Sequence, residues 1–188
     1  MRTGRRQGTS TRQALAESPR TDSAPEPVTD NGLGAALTAA VKLYHDNQYS
    51  DLALILPGLL RDAHDASPLL RSRVLQLTGS VMIQTRQQDT ARIALDRALA
   101  DAEEAGSILD AASCIITTCW LLLTEQQFEQ VRTLALQWAD CIEPRLSNAT
   151  TAELSTWGWL LLRASAAAAI RDNRPDEAAY VMRLSRGL

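Results

Sequence analysis

At 188 residues, with 45% apolar but only 4% aromatic side chains, the chain has material for one substantial hydrophobic core and not comfortably for two. A net charge of -3 excludes a global electrostatic pull toward nucleic acid or an anionic membrane. Alanine and leucine supply most of the apolar residues, a mix that favours helix and disfavours sheet.

Charge is unevenly placed. Arg2, Arg5, Arg6 and Arg12 precede any acid, whereas from Gly32 onward there are 14 basic and 18 acidic residues. Residues 1–31 are rich in Arg, Ser, Thr, Pro and Gly and read as a disordered basic tail, with a helix over residues 11–17 too brief to stand alone. A solvated tail is the simpler reading than a phosphate-binding tip. No apolar stretch follows Arg5-Arg6, so no signal peptide is read and a cytoplasmic setting is expected.

Helical periodicity sets in at Gly32, and residues 32–188 read as one domain. Leu33, Leu37, Ala40, Val41 and Tyr44 share one face of a first helix. Ser50 is placed to cap a second, which carries Leu52, Leu56, Leu59 and Leu60 and is expected to kink at Pro57. Ser67-Pro68 signals the start of a third, and Gly79 within it points to close helix packing. A fourth begins near Asp89, presents Ala91, Ala94, Leu95, Ala98, Leu99 and Ala102, and ends at Gly106. Ser107 opens a fifth whose residues 115–123 are almost wholly apolar, so it is expected to be the most buried.

Phe128 opens a sixth helix with Val131, Leu134, Ala135, Trp138, Ala139 and Ile142 in step, stopped by Glu143-Pro144. Thr150 and Glu153 have capping-box spacing before a seventh. Arg163 and abundant alanine make residues 154–170 a buried helix rather than a membrane span. Pro175-Asp176-Glu177 opens an eighth, with Met182 and Leu184 directed at a core.

The turns repeat as well as the helices. Asp46-Asn47-Gln48-Tyr49, Arg86-Gln87-Gln88-Asp89, Glu125-Gln126-Gln127-Phe128 and Asp172-Asn173-Arg174-Pro175 recur at roughly 40-residue spacing. Helical hairpins at such a period mark an all-α solenoid of about four hairpins, in which stacking supplies the core that no single unit can bury. Ala53, Ala91, Ala94, Ala135, Ala178 and Ala179, recurring after the turns, look like tetratricopeptide packing positions.

Residues that carry chemistry are few. Cys114, Cys119 and Cys141 lie in apolar helical stretches without C-x-x-C spacing and read as buried free thiols. His45 and His64 sit near helix ends, and Asp62, His64 and Asp65 do not share one helical face as metal ligands would. Ser80, Ser113 and Ser155 lack a nucleophile motif, Glu103-Glu104 and Asp176-Glu177 read as solvated acids, and there is no glycine-rich phosphate loop. The expectation is a chain that is not an enzyme and takes no cofactor and no metal. The informative group is aromatic: Trp120, Trp138, Trp157 and Trp159. Trp157 and Trp159 project to different sides of one helix, so both cannot belong equally to one core; one is placed to line a groove, with plain core packing the simpler reading. Arg163, one turn beyond Trp159, suits either a peptide carboxylate or a salt bridge. Trp120, Trp157, Trp159 and Arg163 are the candidate ligand or partner groove.

Two blocks, residues 49–60 and residues 157–163 with 171–178, resemble the tetratricopeptide-like regulatory half of actinobacterial Xre-type helix-turn-helix transcriptional regulators. The resemblance runs from about Leu33 onward. It implies a sensor domain that binds a peptide, a small signalling ligand or a partner protein, with homodimerisation open. DNA contact would reside in a separate helix-turn-helix domain, for which no room is read before Gly32. The alternative is a tetratricopeptide-like adaptor for protein–protein interaction unrelated to transcription.

Overall fold

The computed structural model describes residues 29–145, 147–167 and 174–185, the side chains of Leu184 and Ser185 excepted. Residues 1–28 of the expected tail, with its short helix, and the first half of the fourth turn motif lie outside these residues. Among the described residues the regular elements are eight α-helices: α1 (Asp30–His45), α2 (Tyr49–Asp62), α3 (Pro68–Gln84), α4 (Gln88–Glu104), α5 (Ile108–Thr124), α6 (Phe128–Cys141), α7 (Thr151–Ala166) and α8 (Pro175–Ser185). Each packs on the next in sequence. In addition α1 touches α3, α3 touches α5 and α5 touches α7, so the odd-numbered helices form a continuous row on which the even-numbered ones lean. The expected all-α architecture of stacked helical hairpins is therefore present.

One turn geometry is used four times. Asn47, Arg86, Gly106 and Gln126 all adopt left-handed backbone, with φ between 58° and 65°. After each, the next amide reaches back over the turn: Gln48 N to Leu43 O at 2.9 Å, Gln87 N to Met82 O at 2.8 Å, Ser107 N to Ala102 O at 3.0 Å, and Gln127 N to Leu122 O at 2.9 Å. These bonds satisfy carbonyls that a helix end leaves without partners. Only one of the four positions is glycine, the residue that takes this conformation without strain.

Helix starts follow the sequence signals less closely. The first helix begins at Asp30, where Thr29 Oγ1 accepts from Gly32 N at 3.2 Å. Ser50 lies inside α2 rather than capping it, and Gln48 takes the cap position. Likewise α4 starts at Gln88, one residue before Asp89. Ser67 and Ser107 stand at cap positions but make no capping bond. Ser107 donates instead to Asp110 Oδ2 at 2.5 Å. The capping box at α7 is formed as expected, Thr150 Oγ1 accepting from Glu153 N while Glu153 Oε2 accepts from Thr150 N. Helix α2 continues through Pro57 as a single element.

The core falls into two main clusters. One is built from α1, α2 and α3 around Leu33, Leu52, Leu56, Val74 and Leu77. The other is built from α5 to α8 around Ile115, Leu122, Val131, Leu160 and Val181. A small patch of Ile83, Ala91, Leu95 and Leu121 lies apart from both and joins α3, α4 and α5. Helix α5 is deeply buried, as its apolar run implies, but α3 is its equal with eight buried residues each. The burial of α3 includes Ser72, Thr78, Gly79 and Ser80, which no apolar pattern marks. Small side chains serve there because α4 lies close: Ser72 Oγ donates to Ala98 O at 2.7 Å. Ala91, Ala94, Ala135 and Ala178 are buried packing positions, whereas Ala53 and Ala179 face solvent. In α2 the buried face is held by Leu52, Leu56 and Leu59, and Ala53 is rotated off it.

Two stability measurements test this packing. A Cβ at position 79 would lie 2.7 Å from Leu95 Cγ, and Leu95 is itself only 1% exposed. Gly79→Ala should therefore destabilise the fold by about 1–3 kcal/mol in chemical denaturation, despite the better helix propensity of alanine. Adding Leu95→Ala should fail to deepen the loss additively, since it empties the same space. At the turns, Gln126→Gly should stabilise by up to about 1 kcal/mol by relieving left-handed strain. Gly106→Ala should move the denaturation midpoint in the opposite direction.

Candidate functional site

Polar residues at helical spacing line one face of the odd-numbered row. On α3 these are Arg73, Gln76 and Gln84, and on α5 Asp110, Thr117 and Trp120. They tie neighbouring helices together. Arg73 donates to Asp110 through Nε at 2.7 Å and Nη2 at 3.2 Å, and Gln76 Nε2 donates to Thr117 Oγ1 at 2.9 Å. At the far end Gln84 Nε2 lies 3.5 Å from the Tyr44 hydroxyl, linking α3 to α1. Burial alone would raise the Asp110 carboxyl, but the hydrogen bonds from Arg73 and Ser107 outweigh it and hold the group below its ordinary range.

Helix α7 completes this face. Trp159 is 48% exposed, while Trp157, two residues earlier, packs against the α5–α8 core. The divergence follows from the 100° between successive helical residues. Arg163 stands one turn beyond Trp159, its guanidinium carbon 5.6 Å from that ring and 5.4 Å from the ring of Trp120 on α5. Both distances lie within cation–π range. Trp120 backs onto the small Ile83–Leu95–Leu121 patch, so this indole is anchored from beneath.

Three of the four expected groove residues thus meet: Trp120, Trp159 and Arg163. Trp157 does not join them and serves the core. Arg163 is also not the salt-bridge partner that its type suggests. Its Nε is buried and has no hydrogen-bond partner. Burial pulls its pKa below the ordinary guanidinium value, and the groups that oppose this are the Cys119 thiol and the Tyr44 phenol rather than a carboxylate. Elsewhere arginines are paired across helices. Arg71 holds Asp101 at 2.6 Å, Arg92 holds Glu125 at 2.5 Å, and Arg132 holds Glu177 at 3.0 Å. Glu177 is accordingly a half-buried ion-pair partner, not a solvated acid.

The ties through Arg73, Gln76 and Gln84 escape a reading of single helices. The i, i+3, i+11 spacing on α3 is visible in the chain, but the register that sets it against α5 is not. A separate cavity of about 330 Å³ is lined by Leu122, Glu129, Gln130, Thr133, Leu134 and Gln137. Five of these six residues come from α6, and the only charged group among them, Glu129, is paired with Arg132. It shares no residue with the Trp120–Arg163–Trp159 cluster.

The thiols divide. Cys114 and Cys119 are buried, but Cys141, at the end of α6, is exposed rather than buried as expected. His64 Nε2 lies 3.9 Å from Asp65, both side chains facing solvent. Among the described residues no helix is long and apolar enough to cross a membrane. Compared with protein-family models, characterised proteins and solved structures, the chain matches none.

Burial pushes the Cys119 thiol up to about 12, against the opposing pull of Arg163, and the Cys114 thiol up to about 11, against a hydrogen bond with Ser72. A disulfide-exchange reagent should therefore modify Cys141 rapidly in the folded chain and reach the other two only on denaturation. Cys141→Ser should abolish the fast phase. An ordinary thiol ionises near 9.0, so the folded state holds more protons than the unfolded state above that pH. Stability should then be intact below about pH 9 and fall as pH rises toward 11 to 12, which alkaline melting curves would display.

Proposed function

We propose that the chain is a non-enzymatic, tetratricopeptide-like regulatory domain that senses a ligand on the polar face of its odd-numbered helices. The observation that carries this reading is a partly buried guanidinium held between two indoles with no carboxylate among the described residues against it. Residues that serve stability alone are usually satisfied within the fold, and buried charges are normally paired. A cation left open beside a half-exposed tryptophan is suited to an incoming group.

The resemblance to regulatory halves of Xre-type helix-turn-helix regulators supports a role in transcription. One block that carries it, residues 157–163, supplies two of the three clustered side chains. In this reading the domain responds to its ligand and a separate helix-turn-helix domain contacts DNA. An interaction scaffold unrelated to transcription is the competing assignment.

A thermal-shift screen of short peptides and small signalling molecules tests the sensing role. A ligand present at about 100 times its dissociation constant should stabilise the fold by about 2.7 kcal/mol, or roughly 5–10 °C for a domain of this size. The shift should shrink in Trp159→Ala. Shifts of equal size in that variant, or none with any compound, would remove the sensing role. The chain alone should show no tight sequence-specific DNA complex, and finding one would overturn the assignment of DNA contact to another domain.

A further inference from the structure

We propose that Arg163, clasped by Trp120 and Trp159, is the receptor for a single carboxylate borne on a flat apolar body, a low-molecular-weight aromatic acid. The inference rests on the sensing role above and names its ligand class. Its first support is the contrast between Arg163 and the other half-buried arginines. Arg71, Arg92 and Arg132 each meet a carboxylate of a neighbouring helix or turn, and Arg73 meets Asp110 with two hydrogen bonds. The chain supplies 22 acidic residues, yet none of those described is set against Arg163. The Cys119 thiol, whose field reaches it, is pushed up to about 12 by burial and is uncharged at neutral pH.

The charge at the site selects the anion. Among the described residues no second cation acts on Arg163, and burial is what lowers its pKa. One carboxylate balances one guanidinium, whereas a phosphate dianion would bring an unmatched charge into a partly desolvated site. Nucleic-acid phosphates, which are bound by arrays of basic residues, are disfavoured for the same reason.

The shape of the site selects the rest of the ligand. With Nε sealed by protein, the guanidinium can offer a ligand only its two terminal Nη groups, the end-on fork that pairs with both oxygens of a carboxylate. Trp159, 48% exposed, provides a flat apolar surface beside that fork on which an aromatic ring can stack. Ligand occupancy would thus engage α5 and α7 together.

Isothermal titration and tryptophan emission on the whole chain, with phenylacetate, its uncharged counterpart phenylacetamide, and inorganic phosphate, provide the test. Phenylacetate should bind saturably with one site and alter tryptophan emission. Phenylacetamide should bind at least tenfold more weakly, and phosphate should give no response in the same range. Arg163→Met should lose binding by at least tenfold while melting no lower than the wild type, because it removes an uncompensated charge and keeps the apolar stem. Trp159→Ala, at an exposed position, should remain folded and weaken binding severalfold.

Equal binding of acid and amide, or a response to phosphate at lower concentration than to phenylacetate, would overturn the proposal. So would an Arg163→Met variant that melts several degrees lower in a chain that ignores phenylacetate, since Arg163 would then be a structural spacer between indoles. If phenylacetate fails while a peptide or other compound from the screen shifts the wild type and not Trp159→Ala, the ligand class falls and the sensing role stands. If nothing shifts the wild type, both fall.

Discussion

Leu95 can rest against α3 because position 79 carries no side chain, and much of the row depends on that approach. With α4 this close, Ser72 reaches the Ala98 carbonyl and Leu95 joins Ile83, Ala91 and Leu121 in the patch between the two larger cores. That patch is the floor beneath Trp120. An added methyl group at position 79 would press on Leu95 first, then on the seat of an indole that belongs to the candidate site. The close approach at Gly79 and the Trp120–Arg163–Trp159 cluster are therefore mechanically joined through one small hydrophobic cluster.

Two kinds of arginine coexist here. Those that link helices are half-buried, matched to carboxylates, and act chiefly to fix the register between neighbours. Exposed or half-exposed pairs of this type contribute modestly to stability, typically 0 to about 1 kcal/mol each, so their value lies in alignment. Arg163 is of the second kind. It is partly drawn out of water and stacked on indoles but, among the described residues, left without a counter-charge, an arrangement that stability alone would not favour. Its neighbour Cys119 shares the same dry environment, as the upward shift of that thiol records. A site of this sort is held in place by packing around it rather than by bonds it makes itself.

The sequence disclosed periodic features and left pairwise ones hidden. Helix number, the Pro68 start, the Gly106 stop and the Thr150–Glu153 box are local, and each was legible from spacing alone. The divergence of Trp157 from Trp159 followed from helical geometry. By contrast α3 was hard to read as a central helix because its buried side chains include serine and threonine, whose hydroxyls donate within the fold. Ala53 and Ala179 misled because a small residue after a turn signals close packing only when the helix is rotated to face its neighbour. The partnership of Arg163 with Trp120 spans two hairpin halves, and no single-helix pattern encodes whether a carboxylate will lie opposite.

The left-handed residues at positions 86, 106 and 126 stand twenty apart, so two successive helices are built on blocks of one length. Each residue added to a helix rotates all that follows by about 100° and advances it by about 1.5 Å. A single-residue insertion within α5 would swing Trp120 away from α7, whereas adding a whole hairpin, two such blocks, would keep the up-and-down alternation of the helices. Length changes that preserve the indole–guanidinium meeting therefore belong in the connections between helices or come as entire hairpins.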